Sequence, residues 1–280
     1  MPIHDQGYRH YGGQRSVPGR RWLVIVRAGV RTLVGKKVFI GLMLLSWLPL
    51  VGRAVQIYAA TSVPQAAALL QVSAGTFKDF LEQQSIWVFF ITVYVGSGLI
   101  ANDRRANALQ IYLSKPLSRL EYVFGKLAIL MVCLLLVTGV PGLVLLLLQI
   151  LFAGDLAFFR ENIHLLPAIT LFSLIQAVVF STTMLALSSL SKSSRYVSIL
   201  YAAVMFLSQA FYGVLRQVTG DTYVAWVSLS ANMTQIGAAI FRVPLEYHTP
   251  WPVSLVVIAV LVAVSCVVLE RRVRGVEVVT

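Results

Sequence analysis

Leu127–Ala153 reads LAILMVCLLLVTGVPGLVLLLLQILFA, twenty-seven consecutive positions without a charged side chain. The hydrocarbon core of a bilayer is about 30 Å thick and takes about 20 residues of α-helix to cross. No water is present there to satisfy a backbone N–H or C=O, so such a run has to be helical. A transmembrane barrel would instead show short segments of alternating polarity. Pro141 lacks an N–H, and Gly139 and Gly142 stand close by. The run is therefore expected to kink or to tilt strongly.

Outward from this run lie five more of its kind: Val38–Ala60, Ile86–Ala101, Leu165–Leu190, Tyr196–Leu215 and Trp251–Leu269. Ile86–Ala101 is short and is expected to start earlier, near Phe80. The chain has 280 residues, of which 58% are apolar and 12% charged, and its mean hydropathy is +0.80. A soluble domain is about 25% charged. The fold class is thus an all-α integral membrane protein with six transmembrane helices, built as one domain. Cys133 and Cys266 sit in apolar runs, as buried thiols do, and form neither a disulfide framework nor a zinc site. The polar, glycine-containing opening, residues 1–18, is expected to be a disordered cytoplasmic tail. It holds no apolar core of a cleavable signal peptide. Residues 19–280 make up the transmembrane domain.

Basic residues orient the spans. Eighteen of the twenty-three Lys and Arg fall on one side, in the segment up to Lys37, the loops after the second and fourth runs, and the C-terminal tail. Lys78, Arg160, Arg216 and Arg242 fall on the other. Arg53, inside the first run, is expected to snorkel to that far interface. Both termini are therefore expected in the cytoplasm, with the chain multi-pass in the cell (inner) membrane. The net charge of +12 is accounted for by this topology and by anionic membrane lipid, and a nucleic-acid partner loses its main support.

GRRWLVIVRAGVRTLVGKK, residues 19–37, precedes the first span. At 100° per residue, Arg20, Arg27 and Arg31 share a narrow sector, while Trp22, Ile25, Val26, Val30 and Leu33 lie opposite. A basic face, a tryptophan and an apolar face predict a helix lying in the cytoplasmic interface; a plain positively charged anchor is the simpler alternative. GVRTLVGKK within it is not a phosphate loop. Five residues rather than four separate its glycines, and Lys37 stands where Ser or Thr is needed.

The loop after the second span, NDRRANALQIYLSKPLSRLEYVFGK from Asn102 to Lys126, carries the most information. Asp103, Arg104 and Arg105 emerge as the span ends. Leu109, Ile111, Leu113 and Leu117 are apolar on the soluble side, where they call for cover by lipid or by a partner. Pro116 breaks a regular helix and biases Lys115 to an extended form. Ser118 with Glu121 three residues on is a capping box. A helix end, a short amphipathic helix, a break, and a capped helix running into the third span are expected in that order.

This loop resembles the signature region of ABC-2-type transporter permeases. That family has an acidic-basic cluster at the end of its second span, then Gly-Thr-Leu, then Leu-Ser-x-Pro-[Val/Leu]-Ser-Arg, then Gly-Lys. Asp103 and Arg104 match the cluster, Leu109 the leucine, Leu113–Arg119 the core, and Gly125-Lys126 the end. Arg105 stands where a second acid is usual, and Asn107-Ala108 replaces Gly-Thr. The resemblance implies that the loop is a coupling helix docked on a cytoplasmic ABC ATPase. Asp103, Arg104, Arg105, Leu109, Leu113, Pro116, Leu117 and Arg119 are then its coupling residues. It also implies a permease that works with two ATPase subunits and with a second copy of the permease or a related permease, export being the direction inferred from the family alone. ATP and Mg would bind the partner ATPase, and no cofactor this chain.

Two outer segments remain. Thr61–Gln84 has helical patterns around Ala66–Leu70 and Phe77–Leu81. Gln217–Pro250 contains the uncharged amphipathic TYVAWVSLSANMTQIGAAIF, for which the resemblance suggests short re-entrant helices; an exposed loop is the alternative. Gln56, Gln149, Gln176, Gln209, Thr138, Ser181, Thr182, Thr183, Ser208 and Tyr212 fall inside spans. They either bond neighbouring helices or line a pathway. No Asp or Glu lies mid-span, which weighs against a proton-driven carrier, as does the lack of an inverted repeat. His4, His10, His164 and His248 show no metalloprotease spacing, and no nucleophile elbow exists, so no catalytic or metal site is expected. Two other readings stay open: an intramembrane lipid-modifying enzyme, and a non-transporting scaffold that recruits a cytoplasmic partner through the same loop.

Overall fold

The apolar runs become helices, and no strand occurs among the described residues. The computed structural model describes residues 21–62, 71–108, 118–154 and 157–273. The tail 1–18, Arg20, and Leu109, Leu113, Pro116 and Leu117 of the loop lie outside them. Among the described residues six stretches are long and apolar enough to cross a bilayer: Lys37–Ser62, Ala74–Arg105, Arg119–Ala153, Leu165–Leu190, Ser194–Thr219 and Trp251–Arg272. They are numbered spans 1 to 6 in chain order. Spans 3 and 4 are each 61% buried over their most apolar stretch and spans 1 and 5 only 17%, so the first pair forms the centre of the bundle and the second its surface. Alternation of the spans brings Lys36, Lys37, Arg104, Arg105, Arg119, Lys192, Arg195, Arg271 and Arg272 to one end, called the basic end.

Span 2 is longer than its apolar run. It starts at Ala74, where the Ser73 N–H donates to Thr76 Oγ1 at 3.2 Å, and continues as Ser85–Ile91. The charges of its first turns hid it from hydropathy. Lys78 is buried there because Glu82 at 3.1 Å and Glu246 at 2.5 Å neutralise it. In the middle of the span, Thr92–Gly96 winds as a π-helix, a wider turn with i→i+5 bonding that shifts the register of the helix beyond it. Gly96 sits where spans 2, 3 and 4 meet. A Cβ at this position would lie 2.4 Å from Met184 Cγ and 2.9 Å from Leu130 Cδ2, so the absence of a side chain permits the crossing.

Span 3 breaks as its proline and glycines foretell. Helix Arg119–Val137 ends at Thr138 (φ −109°, ψ −64°) and Gly139–Ala153 resumes; Pro141 has no N–H to give the carbonyl of Val137. Span 1 is also two helices, Lys37–Ser46 and Leu48–Ser62, separated at Trp47 just before Pro49. The indole N–H of Trp47 donates to Leu136 O at 3.2 Å, so the two interrupted places support each other. Arg53 donates to Gln56 Oε1 at 2.9 Å within its own helix.

Between spans 5 and 6, a 3₁₀ turn (Tyr223–Val227) leads into helix Leu229–Phe241. A helix of 13 residues is about 20 Å long at 1.5 Å per residue, too short to cross. It is buried along most of its length. Gln235 ties it to the chain beyond, donating to Tyr247 O at 2.9 Å and accepting from the Glu246 N–H at 3.2 Å. The amphipathic stretch is therefore a packed helix and not an exposed loop.

Candidate functional site

The two stems of the loop after span 2 meet at the basic end, and the site is built from what holds them. Span 2 finishes with Arg104 and Arg105 in its last turn, where cations complement the negative pole of the helix. The Ala106 N–H bonds to Asn102 O at 2.9 Å, and Asn107 turns the chain with φ 52°. Left-handed backbone is strained for most residues, and Asn tolerates it best after Gly. The departure from glycine at this point of the motif thus keeps the conformation that glycine serves.

Asp103 joins span 2 to span 3. Its Oδ2 lies 2.7 Å from the Lys126 ammonium and accepts the Tyr122 hydroxyl at 2.7 Å. Tyr122 and Lys126, one helical turn apart, share a face, with the ammonium 5.6 Å from the ring centroid. The charged atoms are mostly withdrawn from solvent, the Asp103 and Lys126 side chains being 18% and 11% exposed. Arg104 joins span 2 to span 4. Its Nη1 donates to the carbonyl of Ser189, one of the last four carbonyls of that helix, which have no partner within it. Arg105 is exposed, and so is Arg119, the first residue of span 3. The opening of span 3 is capped as expected: Glu121 N–H donates to Ser118 Oγ at 3.1 Å, and Ser118 N–H to Glu121 Oε2 at 2.9 Å. Leu109, Leu113, Pro116 and Leu117, between the stems, fall outside the described residues.

Ser188 is a residue of this junction that the sequence does not single out. The Ser188 hydroxyl fastens the end of span 2 to span 4. It accepts from the N–H groups of Ile100 (3.2 Å) and Ala101 (3.0 Å) and donates to Ser97 O at 2.9 Å. The only signal in the sequence is small polar residues in the last turn of a span, which fits many roles. Ser188→Ala should cost about 2 kcal/mol, since its hydrogen bonds between spans 2 and 4 are lost at a fully buried place. Ser189→Ala, whose hydroxyl bonds back to Ala186 O in its own helix, should cost under about 1 kcal/mol. Thermal unfolding of the two variants in detergent distinguishes them.

The helix Arg21–Val34 docks on the first turns of span 3. Trp22 meets Phe124 edge-on at 5.0 Å. Gly125 faces Ile25, and Gly29 faces Ile129, so closely that Cβ atoms on the glycines would lie 3.0 and 2.3 Å from those side chains. Ile25 and Val26 pack on the core and Leu33 is buried in it, whereas Arg27 and Arg31 are exposed. The apolar face is the expected one, but much of it is covered by protein.

These contacts make one body of the ends of spans 2, 3 and 4 and the preceding helix, to which both stems of the loop belong. The arrangement ties spans 2, 3 and 4 together at the stems of the loop. A family model described as ABC-2 family transporter protein matches residues 58–269 of the chain, a stretch that includes the whole site except the docked helix. No curated protein matches the chain.

Proposed function

The chain belongs to the ABC-2 family of transporter proteins, and on that premise we propose that it is an exporter's permease whose loop Asn102–Lys126 is driven by separate cytoplasmic ATPase subunits. That it is a membrane-spanning permease subunit of an ABC transporter follows from the family; direction and partner are the further step. Both termini and the basic end then face the cytoplasm of the cell (inner) membrane. ATP and Mg bind the partner, and a second copy of the permease completes the complex, its contact formed by the little-buried faces of spans 1 and 5.

One observation carries the coupling role: two charged residues in the last turn of span 2, Asp103 and Arg104, are committed to different neighbours. Asp103 holds span 3 through Lys126 and Tyr122, and Arg104 holds span 4 at Ser189. Closing of an ATPase pair on the loop is then felt by three spans together. Arg105 and Arg119, exposed beside the stems, remain to meet the partner's surface, where complementary charge sets register. Leu109, Leu113, Pro116 and Leu117 supply its apolar contact. ATP does its work by binding one state of the pair better than the other, and the permease follows that bias.

Purification of the tagged full-length chain from its own membrane tests this. An ATP-binding subunit should come with it in stoichiometric amount, and the preparation should hydrolyse Mg-ATP. A chain recovered alone or only with itself, without hydrolysis, would contradict the proposal.

A further inference from the structure

Helix Leu229–Phe241 ends where the backbone favours glycine, and arginine occupies the position. Arg242 has φ 57° and ψ 38°. The Val243 N–H bonds to Ala238 O at 3.0 Å and the Arg242 N–H to Ala239 O at 3.4 Å, the paired bonds of a Schellman terminus. The two other helices that end in left-handed backbone at this side of the molecule, before Gly154 and Gly220, use glycine. An L side chain here carries strain, yet among the described residues no carboxylate or carbonyl receives the guanidinium.

Beside Arg242 a groove of about 530 Å³ opens between span 4, this helix and the start of span 6. Its walls include Leu171 and Ile175 of span 4, Ile236 and Ile240 of the helix, and Trp251 and Leu255 of span 6; among the described residues Arg242 is the one charged residue that lines it. Leu171, Trp251 and Leu255 are exposed, so the groove faces the surrounding lipid. Ile175 lies ten residues into span 4, about 15 Å along the helix at 1.5 Å per residue, so the groove runs down into one leaflet. Trp251 marks its head at the depth where tryptophan settles in membranes.

We propose that this groove holds an acyl chain of an anionic phospholipid whose phosphate is bound by Arg242. A planar guanidinium matches phosphate oxygens two at a time, and the aliphatic walls match the chain. The leaflet concerned is the one at the end opposite the basic end. Little positive charge surrounds Arg242 there, so the attraction is local to this residue and does not belong to a general basic surface. The site depends on the spanning of the bilayer and not on an ATPase.

Native mass spectrometry and thermal unfolding of the delipidated chain in detergent, with phosphatidylglycerol, phosphatidylcholine or inorganic phosphate added, test the site. Phosphatidylglycerol should be retained and should raise the unfolding temperature, and neither of the others should. Arg242→Gly removes the cation and the strain together. It should unfold no lower than the parent without lipid, yet lose the response to phosphatidylglycerol and at least five-fold in its retention. Ala239→Phe, which fills the groove and leaves Arg242 in place, should lose retention as well, and Arg242→Gln should do so with the backbone strain kept. Equal stabilisation of Arg242→Gly and the parent by phosphatidylglycerol, or an equal response to phosphate alone, overturns the proposal.

Discussion

Asp103→Lys should destabilise the protein by about 3 kcal/mol, the range found when one partner of a buried ion pair is lost, and should disconnect ATP hydrolysis from the spans. The substituted ammonium would face that of Lys126, which now lies 2.7 Å from a carboxylate oxygen. The Tyr122 hydroxyl would lose its acceptor at the same time. The effect sits at the low end of that range because a cavity of about 490 Å³, lined by Asp103 and Lys126, lets water approach. Exchanging both residues, Asp103→Lys with Lys126→Asp, restores opposite charges and should recover more than half of the loss in thermal unfolding. In the complex, Asp103→Lys should still permit basal ATP hydrolysis. It should abolish the ATP-dependent change in labelling of a cysteine placed at Val218, on the far side of the bundle. Full coupling in the single variant would show that the junction is only structural.

Gly96→Leu should prevent folding, and Gly96→Ala should cost about 1–3 kcal/mol, the usual penalty for overpacking a filled interior. The reason is local. The first added carbon already falls 2.4 Å from Met184 Cγ, and both Met184 and Leu130 are fully buried, so neither can move into empty space. Met184 is the more adaptable neighbour. Met184→Ala should therefore restore much of the stability of Gly96→Ala, while doing nothing for Gly142→Ala, whose added Cβ meets Ile169 instead. Expression level and unfolding temperature in detergent report both effects. The same crossing adjoins Ser97, where Ser188 takes hold of span 2, so a variant that folds with spans 2 and 4 pushed apart should also couple poorly.

How much of the fold and the site is legible in the sequence depends on the range of the interaction. Span 4 is legible to the residue, because a long uncharged and mostly apolar run stops at Ser191 and Lys192. The Ser118–Glu121 cap is legible since both partners lie within one turn. The break in span 3 follows from Pro141. Hydropathy alone starts span 2 too late, because Lys78 and Glu82 resemble loop residues until Glu246, far along the chain, is seen to share the neutralisation. The π-helix leaves no mark in TVYVG, whose residues suit an ordinary helix equally well. Family resemblance singles out the charges at Asp103 and Arg104. Their actual partners, Tyr122, Lys126 and Ser189, are fixed by how three helices pack, which no local pattern encodes. Amphipathicity assigns Trp22 to the membrane interface, and it does lie at one end of the bundle, but Phe124 receives it. An amphipathic stripe tells which face is apolar without telling what covers it.

The proposed coupling rests on contact between the loop and an ATPase, and a photo-crosslinking amino acid at Leu113 in the otherwise native chain tests that contact directly. Irradiation in living cells should join this position to a cytoplasmic chain bearing an ATP-binding motif, while the same group at Val218 should not. Crosslinks from Leu113 to lipid or to the permease itself, with no ATPase among the products, would contradict it.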